Sequence, residues 1–399
     1  MSTNVHSNTT GHIENQINLV IEPYLHIFGD RVYNPITNRA TFAKDRGYKE
    51  LRDIVEKNKP INSLPQEIKS LLINEEWIIT ESNDEELSKR FFLKYVSLEA
   101  HTVCNQACYF CPVSIDPRED FFMSLEQYEN IVSQLSEYKD SIEAVFMINY
   151  NEPTLDKNFI DQVRILKQYE LVPAINTNGT GLTPSRTDAI MDMGGIGYLS
   201  INLSTMDRDM YKKDRQGDHI KVVMKNLDYA KDKEIAEAMD VVVLGKGDET
   251  HKNDFKEISE YFSNSYFNVK YAEIMDRAGY LNVGHKPSTP RSNLCGCENI
   301  GSRPLQHIHI NPKSECFICC EDYENNYVIG DLNKQTVKEV LSGPEIQKIR
   351  RWSYGIEEAP DNFICKKCVF AIPEKESFKQ ASFFRRVARN VLNIKSLGF

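Results

Sequence analysis

The stretch KYVSLEAHTVCNQACYFC, residues 94–111, joins a short apolar run to three closely spaced cysteines. Its first part, Lys94–Ala100, has the length and composition of a buried strand. Cys104, Cys108 and Cys111 follow that strand directly, in a Cys-x3-Cys-x2-Cys pattern. Because α/β proteins carry their functional sites at the carboxyl ends of the strands, the stretch predicts a reactive loop at the end of the first strand of such a fold.

Beyond this stretch the chain alternates short apolar runs with longer amphipathic ones up to about Val283. In the helical pattern at residues 124–135, Ser124 is the expected N-cap and Gln127 its expected partner in a capping box. Six strands, each followed by a helix or turn, predict parallel pairing through right-handed crossovers. The predicted fold class is therefore α/β, with a partial (β/α)6 TIM-like barrel. The predicted strands are Lys94–Ala100, Glu143–Asn149, Val172–Asn176, Tyr198–Leu203, Met239–Leu244 and Val269–Ile274.

The barrel, at residues 91–285, is one of five predicted segments. Residues 1–16 are polar and are expected to form a disordered lead-in, and residues 17–90 are expected to form a small α+β domain. A Pro- and Ser-rich connector leads from the barrel into a cysteine-rich domain at residues 286–373. Residues 374–399 predict one basic amphipathic helix, for which docking on the protein's own core is favoured over a membrane surface.

Composition excludes several broad classes of protein. The chain of 399 residues has a formal net charge of −10, so no global charge favours nucleic acid. No apolar stretch approaches the roughly 20 residues of a membrane span, and the polar start lacks the apolar core of a secretory signal. The expected compartment is the cytoplasm. There, ten cysteines bunched into three short stretches more often bind metal than form disulfides.

The spacing of Cys104, Cys108 and Cys111 favours an iron–sulfur cluster. A loop of this length can bring three thiolates to one [4Fe–4S] cube and leave one iron without a protein ligand. That iron is then open to a chelating small molecule. A zinc ion would need a fourth nearby ligand, for which His101 is the local candidate, and zinc stays the alternative.

With these residues the chain resembles the radical S-adenosylmethionine (SAM) superfamily. In that family an aromatic residue before the last cysteine lies near the adenine of SAM, a role that falls here to Phe110. The family's next helix opens with a phrase similar to MSLE at residues 123–126. Its Gly-Gly-Glu-Pro segment, which receives the amino group of SAM, corresponds to Tyr150-Asn151-Glu152-Pro153. The resemblance implies Asn151 and Glu152 as contacts, although both glycines are replaced.

Further residues in the same order extend the resemblance. The sequence NTNG at 176–179 is similar to the family's Thr-Asn-Gly turn, which implies Asn178 as a cofactor contact. Asn202 and Ser204 stand where ribose-side contacts are usual, and Arg215 is placed to reach the SAM carboxylate. Taken singly, each of these residues also has an ordinary interpretation as core, turn or surface charge.

Seven further cysteines follow the barrel, in a part of the chain that resembles the SPASM module or its shorter form, twitch. That module holds an auxiliary [4Fe–4S] cluster, and the hook Cys365-Lys-Lys-Cys368 is its expected last ligand pair. The family pattern favours Cys319 as a third ligand and Cys297, over Cys295, as the fourth. A structural zinc ion is the alternative.

The segment around these cysteines predicts a strand, a turn at Asn311–Ser314 and a return strand. Alternation along the return strand would send Cys316 and Cys320 to one face and Cys319 to the other. Cys295, Cys316 and Cys320 are then spare and are expected to be inert buried thiols. Cys316 and Cys320 are also the candidates for donating a hydrogen atom to a substrate radical, which needs an accessible thiol. His307 and His309, on one strand face, are interpreted as structural.

The N-terminal domain at residues 17–90 resembles the winged-helix modules that bind precursor peptides in peptide-modifying radical SAM enzymes. Those modules add the peptide as an extra strand to a sheet edge. A cap packed on the barrel is the alternative.

The resemblance implies a SAM-binding [4Fe–4S] cluster, SAM itself and an auxiliary [4Fe–4S] cluster. A flavodoxin- or ferredoxin-type donor would supply the electron that cleaves SAM, and the resulting 5′-deoxyadenosyl radical would abstract hydrogen from a substrate carbon. The favoured function is maturation of a ribosomally made precursor peptide by crosslinking, epimerisation or oxidation. One alternative is a dehydrogenase or epimerase of a small molecule such as an aminoglycoside or sugar, and another is a non-enzymatic zinc or iron–sulfur binding protein. Neither nucleic acid nor a membrane is an expected partner.

Overall fold

The computed structural model describes residues 18–284 and 290–373, and the chain divides into two compact units. Of the described residues, the first unit comprises 18–34 and 39–83, and the second comprises 35–38, 84–284 and 290–373. The expected lead-in at 1–16 and the expected basic helix at 374–399 lie outside the described residues. The five segment boundaries stay predictions. No helix in the described ranges is long and apolar enough to cross a membrane.

The first unit is a small α+β fold around one apolar core. On its first helix, Leu51 and Ile54 stand three residues apart and pack with Leu72 and Trp77 in the same core cluster. The apolar residues that precede this helix contribute strands to two separate sheets. Strand β1 pairs with β5 in a two-stranded sheet, and β2 begins a three-stranded meander (β2–β3–β4). The resemblance to a winged helix is not confirmed. The elements are β1 (Leu19–Ile21), β2 (His26–Ile27), β3 (Arg31–Asn34), β4 (Arg39–Phe42), α1 (Tyr48–Lys57), α2 (Gln66–Asn74) and β5 (Ile78–Thr80).

The second unit is organised around a nine-stranded sheet, and its first six strands in chain order are the six that the sequence predicts. These six pair in parallel, each with the next, so the α/β fold with a parallel sheet is confirmed. The sheet is an open partial barrel. The strands are β6 (Tyr95–Leu98), β7 (Ala144–Phe146), β8 (Pro173–Thr177), β9 (Ile196–Asn202), β10 (Ala236–Gly245) and β11 (Asn268–Glu273). The helices are α3 (Asp84–Lys89), α4 (Leu125–Leu135), α5 (Phe159–Gln168), α6 (Pro184–Asp192), α7 (Arg208–Arg215), α8 (Ile220–Ala230) and α9 (Glu249–Tyr261).

Helix α4 starts as predicted but without the expected capping box. The Ser124 hydroxyl accepts a hydrogen bond from the backbone N–H of Gln127 at 3.1 Å, which satisfies one free donor of the first turn. The side chain of Gln127 does not reach back to Ser124. It donates instead to the hydroxyl of Ser314, in the turn of the C-terminal module, at 3.0 Å.

The C-terminal module extends the barrel sheet instead of standing apart from it. Strand β13 pairs in parallel with β6, so it lies beside the first barrel strand as a seventh parallel strand, and β14 and β15 continue the sheet antiparallel. The return strand β14 ends at Phe317, before Cys319 and Cys320. The predicted alternation that would place Cys316 and Cys320 on one face was therefore wrong. The elements are β12 (Leu294–Cys297), α10 (Arg303–Gln306), β13 (His307–Ile310), β14 (Glu315–Phe317), β15 (Val328–Asp331), α11 (Val337–Leu341), α12 (Pro344–Ser353) and β16 (Ala371–Pro373).

Alternation along the parallel strands separates two cores. On β6, Val96 and Leu98 join the large apolar cluster that includes helix residues, whereas Tyr95 joins a small cluster with Ala144 and Ala174 from β7 and β8. This smaller cluster lines the inside of the partial barrel. The loops that carry the predicted site residues leave the carboxyl ends of the same strands.

Candidate active site

The three-cysteine loop follows β6 and is held by backbone hydrogen bonds to two neighbouring loops. The N–H of Ala107 donates to the carbonyl of Arg215 at 3.1 Å, and the N–H of Tyr109 donates to the carbonyl of Asp214 at 3.0 Å. On its other side, the N–H of Glu152 donates to the carbonyl of Val103 at 2.9 Å. These bonds bring the ends of β6, β7 and α7 together around the cysteines.

The thiols of this loop influence one another through space. Burial, with smaller contributions from the charges of Glu152, Cys108 and Cys111, raises the pKa of Cys104 to about 12. Burial likewise raises the pKa of Cys111, while the guanidinium groups of Arg277 and Arg118 oppose that rise. Thiolates in this loop therefore need a strong positive charge beside them, which iron ions supply when a cluster is bound.

Arg215 gathers four of the predicted residues around one buried guanidinium. Its Nη1 lies 3.6 Å from Sγ of Cys108, and its charge stands 5.0 Å from the centre of the Phe110 ring. Its Nη2 donates to Oγ of Ser204 at 2.9 Å and also to the side chain of Asn202. The interpretation of Arg215 as a surface charge was wrong, because only 2% of the residue is exposed.

Glu152 is also buried, and it accepts hydrogen bonds from the ends of two strands. Oε1 accepts from the backbone and the hydroxyl of Thr154, at 3.1 and 2.5 Å, and from the hydroxyl of Thr177 at 2.5 Å. Oε2 accepts from the backbone N–H of Asn178, at 2.6 Å, and from no other group in the described part of the chain. Burial raises the pKa of Glu152, and the hydrogen bonds oppose that rise. Since a carboxylate oxygen can accept more than one hydrogen bond, Oε2 keeps capacity for an incoming ammonium group.

Two of the three asparagines expected to touch the cofactor, Asn151 and Asn178, differ in their roles. Asn178 fastens the cysteine loop, because its Nδ2 donates to Oδ1 of Asn105 at 2.9 Å. Asn151 accepts at Oδ1 from the N–H of Asn149, whereas its buried Nδ2 has no hydrogen-bond partner among the described residues. Within the same part of the chain, Oδ1 of Asn176, at the end of β8, is buried and unpartnered as well. A ligand bound at this end of the barrel would find one free donor and one free acceptor.

Sequence reasoning missed a second polar group that adjoins the loop. The hydroxyl of Tyr150 donates to the carbonyl of Cys320, and its ring packs edge-on against Tyr323 at 4.7 Å. The guanidinium of Arg277 forms an ion pair with Glu321 at 3.2 Å and lies 3.9 Å from Sγ of Cys320. The replacement of a family glycine by Tyr150 was the one available signal. Arg277 lies beyond the last barrel strand, where no motif marks it.

Four thiols of the C-terminal module line one cavity. They come from three separated segments and are the four that the family pattern favoured, Cys297, Cys319, Cys365 and Cys368. The remaining lining is mostly apolar and includes Ile318, Phe370 and Ala371. Burial raises the pKa of each of the four thiols. Their role as ligands stays a prediction, but the chemistry of the set fits an iron–sulfur cluster.

A buried cation beside this cavity supports the same fit. Arg303 lines the cavity, and its guanidinium lies in the field of the thiols of Cys320, Cys319 and Cys297 and of the carboxylate of Glu321. Within the described ranges, Glu321 forms its ion pair with Arg277 and not with Arg303, and Nε of Arg303 has no hydrogen-bond partner. A buried cation that only shares a carboxylate with another arginine is costly. A thiolate-bound cluster, which is an anion, would compensate it.

The spare cysteines have three different surroundings. Cys316 is fully buried in the apolar core, and burial raises its pKa. Cys320 is partly exposed and faces Arg277, and Cys295 is partly exposed in β12. His307 and His309 stack on each other at 4.1 Å inside the barrel.

The candidate zinc ligand near the cysteine loop has one of its two ring nitrogens engaged. His101, the candidate fourth ligand near the cysteine loop, accepts the N–H of Val103 at Nδ1 and stacks on Phe122 at 5.3 Å.

Two family models match the chain. The model of the radical SAM superfamily matches residues 98–261, and the model of the SPASM iron-sulfur cluster-binding domain matches residues 297–369. Their order along the chain confirms the predicted family and the predicted auxiliary module. The two domains imply SAM, a [4Fe–4S] cluster and auxiliary iron–sulfur chemistry as cofactors.

Individual relatives are distant. The probable GTP 3′,8-cyclase of Pyrococcus horikoshii is 30% identical over 109 residues, which cover 27% of this chain and 34% of that protein. The match therefore spans about a third of that relative's length. Among solved structures, SuiB of Streptococcus suis bound to the precursor peptide SuiA is 12% identical with a TM-score of 0.51, covering 84% of this chain and 90% of SuiB. Native anSMEcpe with bound AdoMet is 13% identical with a TM-score of 0.51, covering 66% and 84%. These similarities show a shared fold.

Proposed function

Because this chain belongs to the radical SAM superfamily and carries an SPASM domain C-terminal to its radical SAM domain, we propose that it is an enzyme that modifies a ribosomally made peptide. When bound, the first cluster and SAM together supply a 5′-deoxyadenosyl radical that removes hydrogen from an unactivated substrate carbon. An electron from a flavodoxin- or ferredoxin-type protein starts each turnover. Glu152 and Arg215 would hold the amino and carboxylate groups of SAM beside the cysteine loop, and Phe110 would lie near its adenine.

The observation that carries the proposal is the group of residues between the two thiol sites. Arg277 and Tyr150 are influenced electrostatically by Cys111 of the first site and by Cys320 of the module. A substrate bound beside them would lie near both cofactors. Hydrogen could then be removed at one site, and an electron from the substrate radical accepted at the other.

A peptide fits the adjoining surface better than a small sugar does. A groove of about 630 Å³ opens beside Arg277 and is lined by three tyrosines, Tyr280, Tyr323 and Tyr327. It is open to solvent, and small-molecule sites usually bury most of their ligand. SuiB, whose fold is similar, was solved with a precursor peptide bound, which supports the same substrate class.

The test uses anaerobically reconstituted enzyme with SAM and a chemical or flavodoxin reductant. We expect 5′-deoxyadenosine without substrate, and faster formation with a precursor peptide encoded beside the gene, together with a mass change in that peptide. An enzyme that forms 5′-deoxyadenosine but ignores peptides and oxidises or epimerises an aminoglycoside would refute the peptide assignment. An iron-loaded protein that never cleaves SAM would refute the enzyme assignment.

We further propose that the first unit binds part of the peptide as an added strand. In the register of β1 with β5, Val20 pairs with Ile79, and the N–H of Glu81 donates to the carbonyl of Asn18. This pattern makes Asn18 and Val20 the residues bonded to β5, so the N–H groups of Leu19 and Ile21 point to the opposite edge. That edge can accept a further strand.

Leu19→Pro tests this docking, because proline at the first residue of an edge strand removes an outward N–H and leaves the ladder to β5 intact. We expect peptide affinity to fall about fivefold or more, with uncoupled SAM cleavage unchanged, since one backbone hydrogen bond and its neighbours are lost. Leu19→Val is the matched control and should bind like the native enzyme. Equal peptide affinity in both variants would favour the structural-cap alternative.

Of the two candidate hydrogen donors, Cys320 is the one we propose. Its thiol is partly exposed beside Arg277, whereas Cys316 is fully buried. Donation would break the S–H bond, form a substrate C–H bond and leave a thiyl radical that needs one electron and one proton from outside. In D2O, deuterium should enter an epimerised product of Cys316→Ala but not of Cys320→Ala, and deuterium retained in both variants would exclude this role.

A further inference from the structure

A chain of polar contacts inside the barrel begins at the auxiliary cavity. Nη1 of Arg303 lies 2.7 Å from Nε2 of His309. Because an arginine side chain only donates hydrogen bonds, Nε2 of His309 must be the acceptor. A neutral histidine then carries its proton on Nδ1, which lies 3.0 Å from Oδ1 of Asn149 and donates to it. Burial and the adjacent charge both lower the pKa of His309, in agreement with a neutral ring.

Asn149 connects His309 to the loop that follows β7 through hydrogen bonds. Its side chain is held twice by β13, since Nδ2 also donates to the carbonyl of Ile310 at 3.4 Å. Its backbone N–H in turn donates to Oδ1 of Asn151 at 3.3 Å. Asn151 directly precedes Glu152, so the hydrogen-bonded chain ends in the segment expected to receive the amino group of SAM.

We propose that Arg303, His309 and Asn149 are positioning residues through which the auxiliary site sets the geometry of the SAM-binding loop at residues 150–153. The proposal rests on the two cofactor sites and not on the substrate class. Arg303 is the residue that responds to the state of the auxiliary site, because its guanidinium borders the thiols on one side and the barrel interior on the other. An anionic cluster in the cavity would hold this cation in place. Without that anion, Arg303 is left with the carboxylate of Glu321, which is already paired with Arg277, so its guanidinium is held less firmly.

This position also explains why two histidines stack inside the barrel. His307 fixes the ring plane of His309 at a centroid distance of 4.1 Å and is itself held by the hydroxyl of Ser97 at 3.0 Å. With its ring fixed in this way, His309 can bridge Arg303 and Asn149 without rotating. An apolar ring of similar shape would keep the packing and lose only the bridge.

The experiment measures the affinity of the oxidised, fully reconstituted enzyme for SAM. In His309→Phe we expect SAM binding about fivefold weaker or more, the lower end of a typical coupling between sites. His309→Gln keeps one acceptor and one donor and should restore affinity to within about twofold. His26→Phe makes the same change at a buried histidine of the first unit and is the matched control, with native affinity expected.

A variant that lacks the auxiliary cluster distinguishes coupling between the two sites from a simple loss of packing at His309. The variant Cys365→Ala with Cys368→Ala, which removes the auxiliary cluster, should weaken SAM binding by a similar factor, and adding His309→Phe to it should cause no further loss. In each variant the reduced first cluster should show the native spectral change on SAM binding, at a higher SAM concentration. Independent, additive losses would overturn the proposal, and so would native affinity in His309→Phe. Asn149→Ala offers a second route to the same result if His309→Phe is unstable.

Discussion

The two thiol sites of this protein are assembled in opposite ways. The first takes its three cysteines from one loop, residues 104–111, and lies near polar atoms of Asn151 and Asn176 that have no partner within residues 18–284 and 290–373. The auxiliary site takes four cysteines from three separated segments and surrounds them mainly with apolar side chains. The difference indicates that the first site is built to admit and release a ligand, whereas the second is built to retain a permanent cofactor.

The largest effect should come from the first site. Replacing Cys104, Cys108 and Cys111 together with Ala should remove one cluster, about four irons, and abolish SAM cleavage, because no other group can offer an open iron to SAM. Iron analysis and 5′-deoxyadenosine assays measure this, and the spectrum of one remaining cluster should persist. SAM cleavage by the triple variant would show that these three cysteines do not hold the SAM-binding cluster.

Removing the auxiliary pair should have a more selective effect. In Cys365→Ala with Cys368→Ala, the second cluster should be lost while SAM is still cleaved, at reduced affinity and uncoupled from product. The physical reason is that the first loop is held by contacts to Arg215, Asp214 and Glu152 rather than by the module's thiols. Modified peptide per 5′-deoxyadenosine is the measurement. Finding zinc instead of iron at the native site would make the module structural.

Substitutions of Arg215 should have a smaller effect on SAM binding. Comparing Met with Lys at this position distinguishes the contribution of its charge from that of its geometry. Arg215→Met should weaken SAM binding about tenfold or more, since one charge-assisted hydrogen bond contributes roughly 1.5–3 kcal/mol. Arg215→Lys should recover part of that loss, because lysine keeps the charge but cannot contact Asn202 and Ser204 in the same fork. Native affinity in Arg215→Lys would mean that charge alone matters there, whereas equal affinities in the two variants would mean that the fork geometry alone matters.

The same contrast explains what could be predicted from the sequence. The first site was predictable because its ligands are close in sequence and its partners follow a fixed order along the strands. Arg303 and Arg277 were not predictable, because their importance depends on which distant thiols surround them in the fold. The alternation expected for Cys316 and Cys320 failed for a related reason: β14 ends at Phe317, and periodicity holds only while a strand continues.

The place of β13 beside β6 has a consequence for synthesis of the chain. Ser97 and its partner His307 are 210 residues apart, so β6 emerges from the ribosome long before its outer neighbour exists. At about 5–20 residues per second, this edge waits on the order of 10–40 s for its partner. An unpaired edge strand invites pairing with another chain, so nascent protein is exposed to aggregation throughout that interval. Fragments ending before residue 290 would keep that exposed edge permanently, and slower expression at low temperature with chaperones should favour intact enzyme over the isolated barrel.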